Sequence, residues 1–290
     1  MLVVTLMCNP AAPCLEAVLV ENLRNAWGGG DAVWLMPDVA AEFSLENNPD
    51  NFWDIWTDFQ DMGVDMVIQP LEGRRKTLLL ADMDSTMIEQ ECIDELADAA
   101  EIGAGVAEIT AIAMNGGMPF DDALRKRVGL LKGKSLALID TVLAERITYM
   151  PGAKELVSTM RANGGYAALV SGGFTVFTGP VASYLGMDEH RSNTFEVVDG
   201  MFTGNVVPPI FGREAKVQAL EEITAKLDIS DADVIAVGDG ANDLGMLTRA
   251  GTGVALHAKP VVQEQVSIRV NHCDLRALLF VQGYDVGDFR

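Results

Sequence analysis

Apolar residues recur along this chain in two grammars. Over the first 74 residues the runs are short and their period alternates. An apolar run at Leu2 to Met7 predicts a strand, a stripe through Leu15, Val18, Leu19 and Leu23 predicts a helix, and the run Ala32 to Met36 predicts a second strand. A strand near Phe43, an aromatic helix carrying Phe52, Trp53, Trp56 and Phe59, and a strand from Val64 to Ile68 complete the unit. The expected order, strand-helix-strand-strand-helix-strand, makes residues 1–74 a small α+β accessory domain. Gly28-Gly29-Gly30 reads as a helix stop rather than a phosphate cradle, because no helix begins after it. Arg74-Arg75-Lys76 follows a glycine and precedes a strongly apolar strand, and the boundary is placed there.

From Thr77 onward the strands become nearly continuous apolar runs: Leu78 to Ala81, Tyr166 to Val170, Val234 to Val237 and Gly253 to Leu256. Strands apolar on both faces, separated by helical patterns, predict an α/β fold with a doubly wound parallel sheet over residues 75–290. Residues 89–149 interrupt the alternation with helical stripes only, one through Phe120, Leu124, Val128 and Leu131 and another through Leu136, Ile139, Val142, Leu143 and Ile147. They are expected to form a helical lid inserted after the first strand. Asp199-Gly200, between Phe195–Val198 and Met201–Thr203, predicts a hairpin and a second, smaller excursion.

Composition narrows the partners. Of 290 residues, 42 are acidic and 21 basic, a formal net charge of -21, which argues against nucleic acid or an anionic membrane as the main partner. Four scattered cysteines (Cys8, Cys14, Cys92, Cys273) suit free thiols in a reducing compartment. The first apolar run stops at Asn9-Pro10 without a basic segment before it, and the mean hydropathy of +0.19 comes from short runs, none near the ~18 residues of a membrane span. A cytoplasmic, soluble protein is expected.

Three of the buried-type strands end in polar residues: Asp82-Met83-Asp84-Ser85-Thr86, Ser171-Gly172-Gly173, and Gly238-Asp239-Gly240-Ala241-Asn242-Asp243. In open parallel sheets ligands bind at the carboxyl ends of strands, so these sequences are expected to meet in one crevice. Asp82 and Asp84, two apart on extended backbone, leave the strand on the same side, and their repulsion calls for a cation or a shared proton. With Asp239 they offer the hard oxygen ligands that suit Mg²⁺. A lone Asp after a strand is an ordinary turn residue; the three together are not. Ser171-Gly172-Gly173 precedes a helical segment at Phe174, Val176, Phe177 and Val181, which predicts a phosphate seat at a helix N-terminus, although Ser-Gly-Gly alone is a common loop. Lys216, near the start of a helix over Glu214 to Leu227, reads by itself as a solvated surface residue.

These four segments resemble the motifs of the haloacid dehalogenase superfamily of aspartate-nucleophile phosphatases: Asp82-x-Asp84-x-Thr86, Ser171-Gly172-Gly173, Lys216, and Gly238-Asp239-Gly240-Ala241-Asn242-Asp243. The resemblance covers residues 77 to about 280. Glu91-Cys92-Ile93-Asp94-Glu95 and Leu124-Arg125-Lys126-Arg127-Val128 resemble the lid of the branch that acts on phosphoserine. It implies an enzyme that hydrolyses O-phospho-L-serine, a small-molecule substrate, with Asp82 as nucleophile and Asp84 as general acid and base. It further implies Mg²⁺ held by Asp82, the Asp84 carbonyl and Asp239, with Asp243 orienting those ligands. Lys216, Ser171, Gly172, Gly173 and Asn242 would bind phosphate, Arg127 the substrate carboxylate and Glu91 its ammonium, with Met114 and Phe120 closing over the site.

Simpler readings stand beside these. Arg127 lies beside the apolar stripe of its helix and would serve equally as an edge residue whose stem covers that stripe. Glu89, Glu91, Asp94, Glu95 and Asp98 read as a solvated acidic face. His190, His257 and His272 show no metal spacing, and Lys259-Pro260 reads as a turn. A phosphatase or phosphotransferase for another small metabolite is the alternative within the class. A phospho-accepting receiver lacks the second Asp, and a regulatory protein with a dead site would not need every catalytic-type residue. The N-terminal unit resembles ACT-type amino-acid-binding modules in element order alone; effector binding, homodimer formation and added stability are all open to it.

Overall fold

The structure is a computed structural model that describes residues 1–114 and 117–290. Two sheets organise the chain. The first contains β1 (Leu2–Cys8), β2 (Val33–Met36), β3 (Ala40–Leu45) and β4 (Val64–Pro70), with α1 (Ala17–Trp27) and α2 (Phe52–Asp61) between strands. Its spatial order is β2-β3-β1-β4 with antiparallel neighbours, the split β-α-β arrangement. Gly28 ends α1 in the left-handed region at φ 68°, as a helix stop should. The stripe in α1 differs from expectation in part: Leu15 and Leu23 are buried, but Val18 is 59% exposed and Val20 faces the core instead. The helix starts only at Ala17, after Leu15, so the apolar face is set by the phase from Val20 onward. In α2, likewise, Phe52 and Phe59 are buried while Trp53 is 47% exposed under the Arg269 guanidinium.

One face of this sheet packs on its own helices through Val4, Leu6, Phe43, Phe52 and Phe59. The other face, through Met7, Val39, Ala40 and Val67, joins the core of the rest of the chain. Asp65 on β4, fully buried, accepts the backbone N–H groups of Asn271, His272 and Cys273 at 2.8, 2.9 and 2.8 Å.

The second sheet begins with β5 (Leu78–Ala81), where Leu78 and Leu80 face one core and Leu79 and Ala81 the other. A strand buried on both faces needs no polar alternation, which explains its uniform run. Four helices follow: α3 (Cys92–Ala99), α4 (Gly103–Met114), α5 (Phe120–Leu130) and α6 (Leu138–Glu145). The chain enters and leaves this insert along one paired stem, Ile88 opposite Tyr149. Then come α7 (Ala153–Ala162), β6 (Tyr166–Phe174), α8 (Thr175–Leu185), β7 (Glu189–Val198), β8 (Met201–Val207) and α9 (Arg213–Leu227). The chain closes with β9 (Val234–Gly238), α10 (Leu244–Arg249), β10 (Thr252–Leu256), α11 (Pro260–Gln263), β11 (Ile268–Val270) and α12 (Ala277–Val281). Among the described residues no helix is long and apolar enough to cross a membrane.

The order is β11-β10-β9-β5-β6-β7-β8, parallel throughout except for β8 at the edge. The direction of winding reverses at β5, between β9 and β6, and the crevice for a ligand lies at the carboxyl ends of those three strands. Two expectations change. The hairpin is no separate excursion, because its first arm is a strand of the main sheet. Ser171-Gly172-Gly173 belongs to the end of β6, and α8 starts only at Thr175, so the helix N-terminus lies beyond the segment rather than on it.

Candidate active site

β5 is extended one residue by the Asp82 N–H bonding to the Val237 carbonyl at 3.0 Å, after which the chain turns sharply through Ser85 at φ 54°. Asp82, Asp239 and Asp243, from β5 and the turn after β9, bring carboxylate oxygens within 4.8 Å of one another. Lys216 enters from α9 and places its ammonium 2.7 Å from Asp82 Oδ1 and 2.6 Å from Asp243 Oδ1. It is 0% exposed, so the solvated-surface reading of Lys216 is wrong. The signal was present in the helix period: Lys216 heads the buried stripe Ala219, Leu220, Ile223, where a charge is tolerated only if paired.

Asp82 Oδ1 also accepts the Met83 N–H at 2.7 Å, which leaves Oδ2 with no hydrogen-bond partner among the described residues. Asp243 Oδ2 accepts the Gly240 N–H at 3.0 Å, so both its oxygens are engaged. Gly238 is required here, since a Cβ on it would lie 2.5 Å from that carboxylate. Burial, and then the charge of Asp243, holds the Asp82 carboxyl well above the usual range, with Lys216 opposing. The same two causes raise Asp239 to about 6. Burial works against the Lys216 charge, but Asp243 and Asp82 overcome it and raise its pKa. Asp82 and Asp243 share the Lys216 ammonium and Asp239 has only the longer, half-exposed Lys259 contact at 3.9 Å, an excess of buried negative charge that a divalent cation would relieve.

Asp84 stands across the crevice. Its Oδ1 accepts the Cys92 N–H at 3.0 Å, and burial followed by the nearby Glu91 charge raises it to about 7. Opposite lies the end of β6. Ser171 is buried with its Oγ accepting the Gly173 N–H at 2.9 Å, and a Cβ on Gly173 would come 2.9 Å from Asp84 Oδ2. Asn242 is half-buried in the turn against Gly240.

The helical insert covers the crevice. Phe120, at the start of α5, sets its ring over two backbone segments: a Cβ on Gly172 would be 3.2 Å from it and one on Gly212 3.4 Å. Arg127, two turns further along the same face of α5, is half-buried, and its Nε is buried with no hydrogen-bond partner among the described residues. Burial lowers its pKa, and the charges of Asp94, Glu91 and Asp84 oppose that shift. Glu91 is exposed just before α3 and accepts the Ser85 hydroxyl at 3.1 Å. Asp94, read as part of a solvated face, is half-buried, and its Oδ1 has no partner among the described residues. The side chain of Met114 lies outside the described residues. The histidines stand in other networks, His190 with Thr178 and His257 with the Cys273 carbonyl.

Two participants escaped the sequence. Ser85 holds Glu91 from a strained turn, and Asn193 on β7 bonds the Gly172 carbonyl. The left-handed φ of Ser85 has no sequence signature in a non-glycine residue, and Asn193 sits in the polar first half of β7, where no apolar run marks a strand.

The chain belongs to the haloacid dehalogenase-like hydrolase family, which matches residues 79–248. Phosphatases of this family work with a metal ion, and the acidic cluster gathers the carboxylates for one. A phosphoserine phosphatase from Polaromonas sp. is 46% identical over 207 residues, 70% of this chain and 88% of that protein. A phosphoserine phosphatase from Streptomyces coelicolor is 35% identical over 288 residues, 97% of this chain and 70% of that protein, so the similarity extends through the N-terminal sheet. Among solved structures, a family hydrolase from Salmonella enterica serovar Typhi superposes with a TM-score of 0.86 at 30% identity, covering 97% of this chain and 98% of that one.

Proposed function

We propose that this protein is a phosphoserine phosphatase that hydrolyses O-phospho-L-serine to L-serine and phosphate with Mg²⁺. The observation that carries the reading is Asp82: a buried carboxylate whose Oδ1 is fixed by Lys216 and Met83 N–H while Oδ2 is free. In this reading Asp82 Oδ2 attacks phosphorus, the bond to the serine oxygen breaks, and the Asp84 carboxyl gives that oxygen its proton. With its pKa near 7, Asp84 holds a proton at neutral pH often enough to act as the acid. In the second half Asp84 takes a proton from water, the water oxygen attacks phosphorus, and phosphate leaves as Asp82 is regenerated.

Lys216 opposes the burial that raises Asp82, which favours the carboxylate for attack, and it holds the side chain in place through both halves. Asp82, Asp239 and the Asp84 main-chain carbonyl would hold Mg²⁺, with Asp243 positioned between Lys216 and Gly240 to orient them. When bound, Mg²⁺ neutralises charge on the transferring phosphoryl group. Ser171, Gly172, Gly173 and Asn242 would bind its oxygens.

Substrate selection is assigned to the insert. The Arg127 Nε, without a partner among the described residues, is a donor waiting for an acceptor, and the substrate carboxylate supplies one bidentately. Glu91 would take the ammonium, with Phe120 and Met114 closing the mouth. Steady-state phosphate release from L-phosphoserine and from sugar phosphates, with and without Mg²⁺, tests the reading; equal turnover of both substrate types would refute the substrate assignment. Asp82→Asn is expected to abolish turnover while the protein stays folded by circular dichroism, and retained phosphate release would refute the nucleophile.

A further inference from the structure

Parallel pairing of β6 with β7 runs from Ala168 to Val170, breaks, and resumes only at Phe174 opposite Asn193. The residues between are Ser171, Gly172 and Gly173. Peeling away from β7 frees their backbone groups for the crevice, but it also removes the ladder bonds that would hold them. Asn193 fills that gap. Its side chain is 1% exposed, and its Nδ2 donates to the Gly172 carbonyl at 2.8 Å.

The same amide reaches a second segment. Nδ2 also donates to the Phe211 carbonyl at 3.1 Å, while Oδ1 accepts the Phe211 N–H at 2.7 Å, a pairing like that between two strands. Phe211 stands two residues before α9, and one turn further on is Lys216. Gly172 and Gly212, one on each tied segment, are the two positions over which the Phe120 ring lies.

We infer that Asn193 is a positioning residue: one buried amide clamps the end of β6 to the entrance of α9, so that the phosphate-binding backbone, the Lys216 ammonium and the platform under Phe120 keep a single geometry. The side chain meets none of the reacting atoms and acts through Gly172 and Phe211. A hydrophobic residue of similar size would pack there but would leave two carbonyls and one N–H unbonded in the core.

This inference rests on the phosphatase reading only for the identity of the anion. Asn193→Ala removes all three bonds, and Asn193→Asp keeps the acceptor for Phe211 N–H but sets a carboxylate oxygen against two carbonyl oxygens. For both variants of the full chain, kcat, KM and inhibition by inorganic phosphate are measured with phosphoserine and with an aryl phosphate that has neither ammonium nor carboxylate. The expected result is a loss of tenfold or more in kcat on both substrates and a similar weakening of phosphate inhibition. Folded variants with kcat and phosphate inhibition within twofold of the native protein overturn the inference, and so does a loss confined to phosphoserine. Should neither variant fold, NMR of the native protein decides. The Asn193 side-chain NH₂ and the Phe211 amide must shift when inorganic phosphate and Mg²⁺ are added, and unmoved resonances overturn the clamp. Native protein that turns over the aryl phosphate but not phosphoserine removes the substrate assignment and leaves this test intact.

Discussion

On the proposed reading, Arg127 and Asp239 carry separable parts of the chemistry. Arg127 has a buried donor with no partner among the described residues, a state that costs free energy until a ligand supplies the acceptor. Charge-assisted hydrogen bonds contribute about 1.5–3 kcal/mol, so Arg127→Ala is expected to lower kcat/KM for phosphoserine roughly 10- to 100-fold. Turnover of an aryl phosphate should fall far less, and equal losses on both would make Arg127 a packing residue. Asp239 lies in the acidic cluster away from the Lys216 ammonium and has only the longer contact with the half-exposed Lys259, at 3.9 Å, so its charge is the one most open to a cation. Mg²⁺ at 100 times its Kd stabilises by about 2.7 kcal/mol through mass action, readable as a rise in Tm. Asp239→Asn should remove most of that rise, and an undiminished rise would exclude Asp239 as a ligand.

Elements hold these residues by bonds well away from the reaction. Glu189, at the start of β7, accepts Tyr166 Oη from β6 and Lys226 Nζ from α9, both at 2.7 Å, and pairs with Arg191 at 2.8 Å. It therefore ties together the strand of Ser171, the strand of Asn193 and the helix of Lys216. Burial opposes its charge, but the hydrogen bonds from Lys226, Tyr166 and Arg191 outweigh it and hold Glu189 down at about 2. A depressed carboxyl contributes stability that is present above its unfolded value near 4.5 and lost as pH falls through about 2. Because the partners are partly exposed and screened, Glu189→Gln should cost roughly 1 kcal/mol in urea denaturation at pH 7. The gap to the native protein should close as pH drops toward 2; a gap independent of pH would show that packing, not charge, is responsible.

At the scale of the molecule, the N-terminal sheet is docked by apolar and directional contacts together. Its Met7 and Val67 share the main core, and the Asp65 carboxylate is cradled by three backbone N–H groups after β11. Asp65→Ala leaves those donors buried and unbonded, which should cost about 3 kcal/mol in denaturant unfolding while kcat stays within twofold. A variant as stable as the native protein would mean that the apolar face alone holds the unit. The net charge of -21 sits easily with an anionic substrate, since screening confines the decision to about 8 Å, where on the proposed reading Lys216, Arg127 and a bound cation would prevail.

Local pattern was enough for whatever depends on neighbours in sequence. The uniform runs of β5, β6 and β9 show strands buried on both faces, and their polar ends mark the crevice, because parallel strands present their carboxyl termini on one side. The stripes of α5 and α6 show the helical insert for the same reason of period. Three-residue β11 is too short to display a period, and it was not visible. Lys216 reads as surface by residue type, and only contact with Asp82 and with Asp243, which lies 27 residues further on, makes its burial affordable in energy. Whether Arg127 covers a stripe or waits for a carboxylate depends on Asp94, Glu91 and Asp84 arriving from elsewhere in the chain. The same holds for Asn193, whose three bonds reach 21 and 18 residues away. Sequence determined the strands, the insert and the acidic residues that meet at the crevice, since each follows from periodicity and strand direction. Tertiary structure decided which charges are buried and what satisfies them, because desolvation and pairing are properties of the folded neighbourhood and not of the residue.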